Sequence, residues 1–243
     1  MNQPVHTQWI TVPSLAADGP PTTNASMGAY LALPPGGSGP GLLLMQEIFG
    51  VNRHMRAVAE QYALAGFVVL APDMFWRQAP RVDLGYEGCD RERGIALMSA
   101  MQASEVLADL QAAVGALRAR PELGGGKVGA IGYCLGGRLA YTAAALTGVD
   151  AAVAYYGGGI QGQLQLATQV ACPMLFHYAE FDDHIPLDAV AKVRAAFAGK
   201  RADVRVYPGA HHGFNCWDRA SYHAPSSALV LGRSLAFLAE QLF

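Results

Sequence analysis

The stretch that decides the fold of this chain is Gly132-Tyr133-Cys134-Leu135-Gly136-Gly137. It follows a short apolar run at 127–131 and precedes a segment with helical composition at 138–146, so it predicts a strand, a sharp turn and a helix. Small residues two positions before and two after Cys134 let the strand and the helix pack closely. This pattern is typical of a nucleophile elbow, in which the corner residue sits at a strained backbone position.

Cys134 gains nucleophilic character from its position before a helix. The first turn of a helix presents unpaired amide donors and the positive end of the helix dipole, and both favour a thiolate. The amide of Leu135 is then expected to be one donor of an oxyanion hole. Two phosphate-binding patterns fit less well, because Cys134 replaces a glycine of the dinucleotide motif and Val128 replaces the Ser or Thr of a P-loop. A structural cysteine in a tight turn is the alternative interpretation.

The composition is that of a compact globular protein. Of the 243 residues, 52% are hydrophobic and 15% are charged, which excludes general disorder. No internal repeat or change of composition marks a second domain, so we expect a single domain over residues 1–243. The net charge of -2 comes without a basic block, so nucleic acid is not an expected partner.

The cellular setting is also predicted from composition. No apolar run approaches the ~20 residues of a membrane span, and the first residues lack a signal-peptide pattern. We therefore expect a cytoplasmic protein without a membrane partner. The cysteines are widely scattered and include no C-x-x-C pair, which predicts free thiols: Cys89, Cys134, Cys172 and Cys216.

Apolar runs alternate with amphipathic segments along the chain. Two short pieces before residue 40 are predicted to be antiparallel edge strands, and the buried strands are predicted at 42–45, 67–71, 127–131, 151–156, 174–178 and 203–207. Helices are predicted at 53–65, 100–119, 138–146, 187–198 and 225–242. The last one is expected to turn Leu229, Leu235 and Leu238 inward. This order favours an α/β fold with a mostly parallel sheet and helices on both faces, and it leaves 72–94 as a long irregular loop.

The candidate acids and bases lie in the turns that follow predicted strands: Glu47, Glu180, Asp182, Asp183, His211 and His212. Ligands bind at the carboxyl ends of the strands in open α/β sheets, so these side chains are candidates for chemistry. The other two histidines of this region, His177 and His184, are interpreted as structural.

The order nucleophile, acid, histidine is the chain order of α/β-hydrolases. A base must take a proton and later return one to the leaving oxygen, and an acid must fix the tautomer of the imidazole and support its positive charge. Either His212 or His211 can be the base, and either Asp182 or Asp183 can be the acid. Spacing alone does not choose between them.

Glu47 has a different predicted role. A carboxylate beside a thiol disfavours the thiolate and can accept the thiol proton, so that the cysteine rests in an unreactive state. The alternative is a salt bridge with Arg53 or Arg56. The amide of Ile48 is the expected second oxyanion donor, because it follows the strand beside the elbow strand.

Several motifs together resemble those of the dienelactone hydrolases, also called carboxymethylenebutenolidases. They occur in the family's order from about residue 28 to the end of the chain. The motifs are Gln46-Glu47-Ile48-Phe49-Gly50-Val51-Asn52, Ala71-Pro72-Asp73-Met74-Phe75, Gly129-Ala130-Ile131-Gly132-Tyr133-Cys134-Leu135-Gly136-Gly137, Tyr155-Tyr156-Gly157 and Gly209-Ala210-His211-His212-Gly213-Phe214.

The resemblance implies an α/β-hydrolase fold and a hydrolase of the aromatic-degradation type. It assigns the nucleophile, base, acid, thiol-proton acceptor and two oxyanion amides, in that order, to Cys134, His212, Asp182, Glu47, Leu135 and Ile48. No cofactor is implied. His211, His212 and Cys216 are metal-ligand types, but no second ligand cluster supports them, so no metal is expected.

The resemblance is weakest at the substrate. In the family, two arginines and a tyrosine hold the substrate carboxylate. One arginine is kept as Arg91, whereas the tyrosine position is Ile95 and the second arginine position is Cys216. The expected partner is a small lactone or ester, with enol-lactones of the dienelactone type leading, and the expected state is a monomer or small homo-oligomer. The alternatives are an esterase or thioesterase for uncharged esters, and a binding or redox-sensing relative without turnover.

Overall fold

The structure, a computed structural model, describes residues 4–14 and 26–243. The strands within these ranges are β1 (His6–Pro13), β2 (Ser26–Leu33), β3 (Gly41–Met45), β4 (Val68–Pro72), β5 (Val128–Tyr133), β6 (Ala151–Tyr155), β7 (Met174–Phe181) and β8 (Ala202–His211). The α-helices are α1 (Arg53–Leu64), α2 (Gly88–Ala100), α3 (Ala103–Arg118), α4 (Leu135–Leu146), α5 (Leu187–Ala196) and α6 (Ala224–Leu242). Of the helices in the described ranges, none is both long and apolar enough to cross a membrane.

Contacts divide the chain into two compact units, Met1–Gly129 and Ala130–Phe243. The single domain over residues 1–243 stays a prediction. In the first unit the strands neighbour one another in the order β1-β2-β4-β3. The pairs β1/β2 and β2/β4 are antiparallel and the pair β3/β4 is parallel, so the predicted antiparallel start of the chain is present. Every residue of β3 and β4 is buried, as expected for strands covered on both faces.

Helix α1 follows the predicted amphipathic pattern closely. It begins after Asn52, whose side chain accepts the Met55 N–H at 3.1 Å and so satisfies one of the first amide donors. The buried face is the one that the 3.6-residue periodicity predicts: Met55, Val58, Ala59, Tyr62 and Ala63.

Helix α2 corrects the prediction of an irregular loop through residue 94. The segment is polar in sequence and lacks the apolar stripe that marks a helix, and Gly94 is the one residue of α2 that the structure buries. Its first turn is stabilised instead by Asp90, whose carboxylate accepts the Gly85 N–H at 2.8 Å and lies where the helix dipole favours negative charge.

The second unit contains β5 from Ala130 onward and has the strand order β5-β6-β7-β8. The pairs β6/β7 and β7/β8 are parallel. β8 runs through His211, although the sequence predicted a loop from residue 208. The pairing continues because a register shift between Ala179 and Phe181 absorbs the bend at Gly209, whose N–H donates to the Glu180 carboxylate at 2.8 Å.

Helix α6 agrees only in part with the prediction. Leu238 is buried as expected and Leu235 is half-buried, but Leu229 is 52% exposed. The buried side chains recur every four residues: Ser226, Val230, Ser234, Leu238 and Leu242. Polar contacts explain this choice of face. The Ser234 hydroxyl lies 2.7 Å from the Tyr155 hydroxyl and 3.0 Å from Nε2 of His177, so a serine completes a buried hydrogen-bond network that leucine would leave unsatisfied.

His177 at the centre of this network makes the fold sensitive to acid. Its side chain is fully buried and its Nδ1 lies 2.8 Å from the Tyr207 hydroxyl. Burial, with smaller contributions from Arg233 and Arg205, lowers the pKa of His177 to about 3. In the unfolded chain His177 takes up a proton near the ordinary histidine pKa of about 6.5, whereas in the fold it stays neutral. The stability of the fold is therefore complete above pH 6.5 and decreases as the pH falls toward 3.

We therefore expect the free energy of unfolding to decrease by about 2 kcal/mol between pH 6.5 and pH 5 through this residue alone. His177→Gln, which cannot take up a proton, should be less stable at neutral pH and should lack this part of the slope. Urea unfolding of both proteins at the two pH values measures the difference. Equal slopes would show that His177 is not the acid-sensitive group.

Candidate active site

The predicted strand, turn and helix are present around Cys134. β5 ends at Tyr133, α4 begins at Leu135, and Cys134 between them has φ +55° and ψ −115°. A positive φ is strained for a residue that carries a side chain. The Cys134 N–H donates to the Tyr155 carbonyl at 3.0 Å, which ties the corner to the end of β6.

The close packing that an elbow requires occurs at Gly137 in the first turn of α4. A Cβ at this position would lie 2.6 Å from the Tyr155 carbonyl oxygen and 2.8 Å from the Gly157 Cα. Both distances are shorter than real Cβ contacts, so a glycine is required where the helix meets the end of β6.

The structure brings together Asp182 and His212 from the alternatives that the sequence left open. Phe181 and His211, the last residues of the parallel strands β7 and β8, are register partners. Asp182 and His212 are the residues that directly follow them. Nδ1 of His212 donates to the Asp182 carboxylate at 2.8 Å. Neighbouring Asp183 and His211 are exposed.

The Asp182 carboxylate is itself held in place. Its side chain is completely buried, and its other oxygen accepts the backbone N–H groups of His184 at 2.9 Å and Ile185 at 3.1 Å. A carboxylate fixed at both oxygens orients the imidazole and selects the tautomer with the proton on Nδ1.

The electrostatic surroundings favour the charged form of His212. Burial by itself lowers the pKa of this imidazole, but the charge of Cys134 and the hydrogen-bonded charge of Asp182 raise it to about 10. His184 also packs its ring against His212, with centroids 5.1 Å apart. The predicted acid thus binds the histidine directly at Nδ1, and the predicted nucleophile acts on its pKa through charge, while the buried Nε2 has no hydrogen-bond partner among the described residues.

Glu47 lies just beyond β3 and is 1% exposed. Arg56, one of its two expected salt-bridge partners, instead donates to Asp83 and to the Val51 carbonyl. The sequence analysis missed His54, which is also 1% exposed and brings a ring nitrogen within 4.8 Å of a Glu47 carboxylate oxygen. His54 is the only histidine on the buried face of α1, and that placement was a signal in the sequence.

Ile48, the predicted second oxyanion donor, is fixed by α2. A Cβ at Gly94 would lie 2.4 Å from the Ile48 carbonyl oxygen, so the helix touches this backbone directly. The side chain of Gln46 helps to hold the same segment, because it accepts the Met74 N–H at 3.1 Å and donates to the Glu47 carbonyl at 3.4 Å.

The residues predicted to bind substrate have different environments. Arg91 and Ile95 both lie on α2, and both are exposed, Ile95 to 37%. Cys216, at the position of the family's second arginine, is completely buried.

Comparison with solved structures identifies the fold. A Klebsiella pneumoniae protein assigned as a dienelactone hydrolase superposes with a TM-score of 0.82 at 31% identity, over 97% of this chain and 98% of that one. The dienelactone hydrolase from Anabaena variabilis has the same fold, with a TM-score of 0.71 at 19% identity over 99% of this chain and all of the other. The class is therefore that of the α/β-hydrolase fold with a mostly parallel sheet, as the sequence predicted.

Sequence comparison narrows this class to one family. The family pattern of the dienelactone hydrolases matches residues 27–242, and the chain belongs to that family. Carboxymethylenebutenolidase from Pseudomonas putida is 36% identical over 88% of this chain and 91% of its own length. Carboxymethylenebutenolidase 1 from Cupriavidus pinatubonensis is 31% identical over 93% and 97%. Membership of this family makes the chain a hydrolase of lactones or esters.

Gly94→Ala tests whether the position of Ile48 depends on α2. The added Cβ would force either the helix or the Ile48 backbone to move. Since loss of an oxyanion donor costs about 10²- to 10³-fold in kcat, we expect a displaced donor to lower kcat by at least about tenfold.

Gly115→Ala is the matched control, because this glycine lies in α3 and an added Cβ would meet no atom within 4 Å apart from its chain neighbours and the backbone of its own helix. It should leave kcat unchanged and slightly raise Tm. If Gly94→Ala also keeps full activity with an ordinary Tm, α2 does not position the amide.

The pKa of His212 gives a second prediction. Because it is raised, the charged imidazole stabilises the fold fully below about pH 6.5, and this contribution is lost as the pH rises toward 10. The NMR titration of His212 should have its midpoint well above 8. The midpoint should fall in Cys134→Ala and in Asp182→Asn, since each removes one interaction that favours the charge. A midpoint unchanged in both variants would contradict the assignment.

Proposed function

We propose that this hydrolase opens enol-lactones or related esters through an acyl-enzyme on Cys134, with His212 as the acid-base and Asp182 as its orienting carboxylate. The observation that carries the proposal is the geometry of His212, whose Nδ1 donates to the Asp182 carboxylate at 2.8 Å, beside a Cys134 held at a strained strand-to-helix corner. Nucleophile, imidazole and carboxylate in this order are what acyl transfer requires.

The proposed first half-reaction starts from a charged imidazole. Glu47 takes the thiol proton, and the Cys134 thiolate attacks the substrate carbonyl. The amides of Leu135 and Ile48 stabilise the oxyanion that forms. When the carbon–oxygen bond of the ester or lactone breaks, His212 donates its proton to the leaving oxygen, and a thioester remains on the sulfur.

The second half-reaction returns the enzyme to its resting state. Neutral His212 takes a proton from water as the hydroxide attacks the thioester carbonyl. The intermediate collapses to a carboxylic acid and the thiolate. The proton on Glu47 then returns to sulfur, so every proton taken from the enzyme is replaced. No metal or organic cofactor takes part in this sequence.

The substrate class follows from the residues that replace the family's carboxylate clamp. Arg91 supplies one cation that can hold a substrate carboxylate. Ile95 and Cys216 supply neither charge nor a phenol, and this favours a second candidate function, the hydrolysis of uncharged esters or thioesters. Both functions use the same nucleophile and differ in whether a carboxylate on the substrate increases kcat/KM.

Cys134→Ala is expected to lower kcat by roughly 10³-fold or more on every substrate, because a covalent step has no replacement nucleophile. The measurement is an absorbance assay of cis- and trans-dienelactone beside a neutral short-chain aryl ester. Cys134→Ser is the matched control, since it keeps a side chain of similar shape that can still hydrogen-bond but replaces the sulfur nucleophile by a hydroxyl.

Each result of this assay decides one point. Faster opening of the dienelactones than of the aryl ester by the wild type supports the enol-lactone function, whereas reaction with the aryl ester alone supports the second candidate. Undiminished hydrolysis by Cys134→Ala would refute the acyl-enzyme on this residue for both.

A further inference from the structure

The geometry points to Tyr156 as the residue that positions His212 for proton transfer, within a segment, Tyr155–Gly157, that also fixes the backbone of Cys134. Residues Tyr155–Gly157 form the β6 corner. The inference rests on the proposed function, because it assigns the control of the distance between nucleophile and base to a residue that touches neither the substrate nor the reacting bond.

The backbone of Tyr156 is strained. Among the described residues, three that are not glycine have a positive φ: Arg81 at 59°, Cys134 at 55° and Tyr156 at 35°. A bulky aromatic residue in this region persists only where its surroundings hold it there. The Tyr156 N–H donates to the His177 carbonyl at 2.7 Å, so a short hydrogen bond to β7 fixes the strained peptide.

The side chain explains why the strain is useful. Tyr156 is completely buried, and its ring lies against the His212 imidazole with centroids 5.1 Å apart and planes at 61°. Phe214, two residues after His212, packs on the same tyrosine ring at 5.4 Å. The His184 ring contacts the imidazole at 5.1 Å and 89°. With Asp182 bound at Nδ1, the imidazole is restrained both by a hydrogen bond and by ring contacts.

The other side of the β6 corner is bound to the nucleophile. The Tyr155 carbonyl accepts the Cys134 N–H at 3.0 Å. Gly157 fits against the first turn of α4, since its own added Cβ would lie 3.0 Å from the Gly137 carbonyl carbon. The Tyr155–Tyr156 peptide therefore holds the backbone of Cys134, while the Tyr156 ring restrains His212. A displacement of this one residue changes the position of both groups.

Tyr156 acts through His212, so its removal should affect proton transfer more than substrate binding. Without the ring, the imidazole keeps its hydrogen bond to Asp182 but gains freedom to rotate away from the sulfur and the leaving oxygen. Misplacement by about 1 Å costs about 10²-fold in rate, and both half-reactions depend on the same imidazole.

Three substitutions separate the ring from the backbone strain. Tyr156→Phe keeps the ring, Tyr156→Leu removes it, and Tyr156→Asn removes it while tolerating a positive φ more easily. We expect Tyr156→Phe to retain kcat within about threefold, and the other two to lose about 10- to 100-fold in kcat with KM nearly unchanged. In those two, the His212 imidazole resonance should broaden and its titration midpoint should fall.

Phe176→Leu is the matched control. Phe176 is a completely buried aromatic residue of β7 that packs on Phe197 at 4.9 Å, so its loss tests general destabilisation of the same unit. The control should lower Tm without changing kcat of the folded protein or the His212 resonance.

The outcomes are distinguishable. If Tyr156→Leu and Tyr156→Asn keep the wild-type kcat and the wild-type His212 titration, the tyrosine is structural only and the inference is wrong. Tyr156→Asn decides the point if Tyr156→Leu does not fold. If Cys134→Ala hydrolyses the ester as fast as the wild type, the proposed function fails first, whatever Tyr156 does.

Discussion

The hydrogen bond from the Cys134 N–H to the Tyr155 carbonyl is the contact on which the proposed site depends. A positive φ at a residue with a side chain is unfavourable by about 1–3 kcal/mol, and it is kept only where neighbouring contacts offset it. Here the offset comes from the end of β6 and from the close approach at Gly137, where a larger residue would not fit. The orientation of the thiol is thus a property of the strand beside it as much as of its own loop.

Parallel pairing supplies the other half of the geometry. Because β7 and β8 are in register at their carboxyl ends, Asp182 and His212 leave the sheet side by side and need no further loop to meet. The bulge near Ala179 and the contact from Glu180 to Gly209 keep this register to the last residue. Burial then strengthens the hydrogen bond, since little water competes for the carboxylate.

Much of this arrangement was predictable from the sequence, for identifiable reasons. The buried face of α1 and the strands β3 and β4 follow from simple periodicity, and the elbow follows from a local motif. The choice of Asp182 over Asp183 and of His212 over His211 came from the family resemblance, because adjacent residues of one type differ only in the direction of their side chains. Contacts between distant segments decided the remainder. Leu229 faces outward because Ser234 is needed by Tyr155 and His177, and α2 forms without the apolar stripe by which a helix is predicted.

The exposure of α2 has an evolutionary consequence. A helix that buries only Gly94 consists mostly of exposed positions, at which substitutions usually change stability by no more than about 0.5 kcal/mol. They include Arg91, which keeps one arginine of the family's carboxylate clamp, and Ile95, which stands where the family has a tyrosine. Mutational tolerance is therefore concentrated where the substrate is expected to be recognised, while the strained corner and the paired strand ends tolerate little. Such a division lets a lineage exchange one ester for another without rebuilding its chemistry.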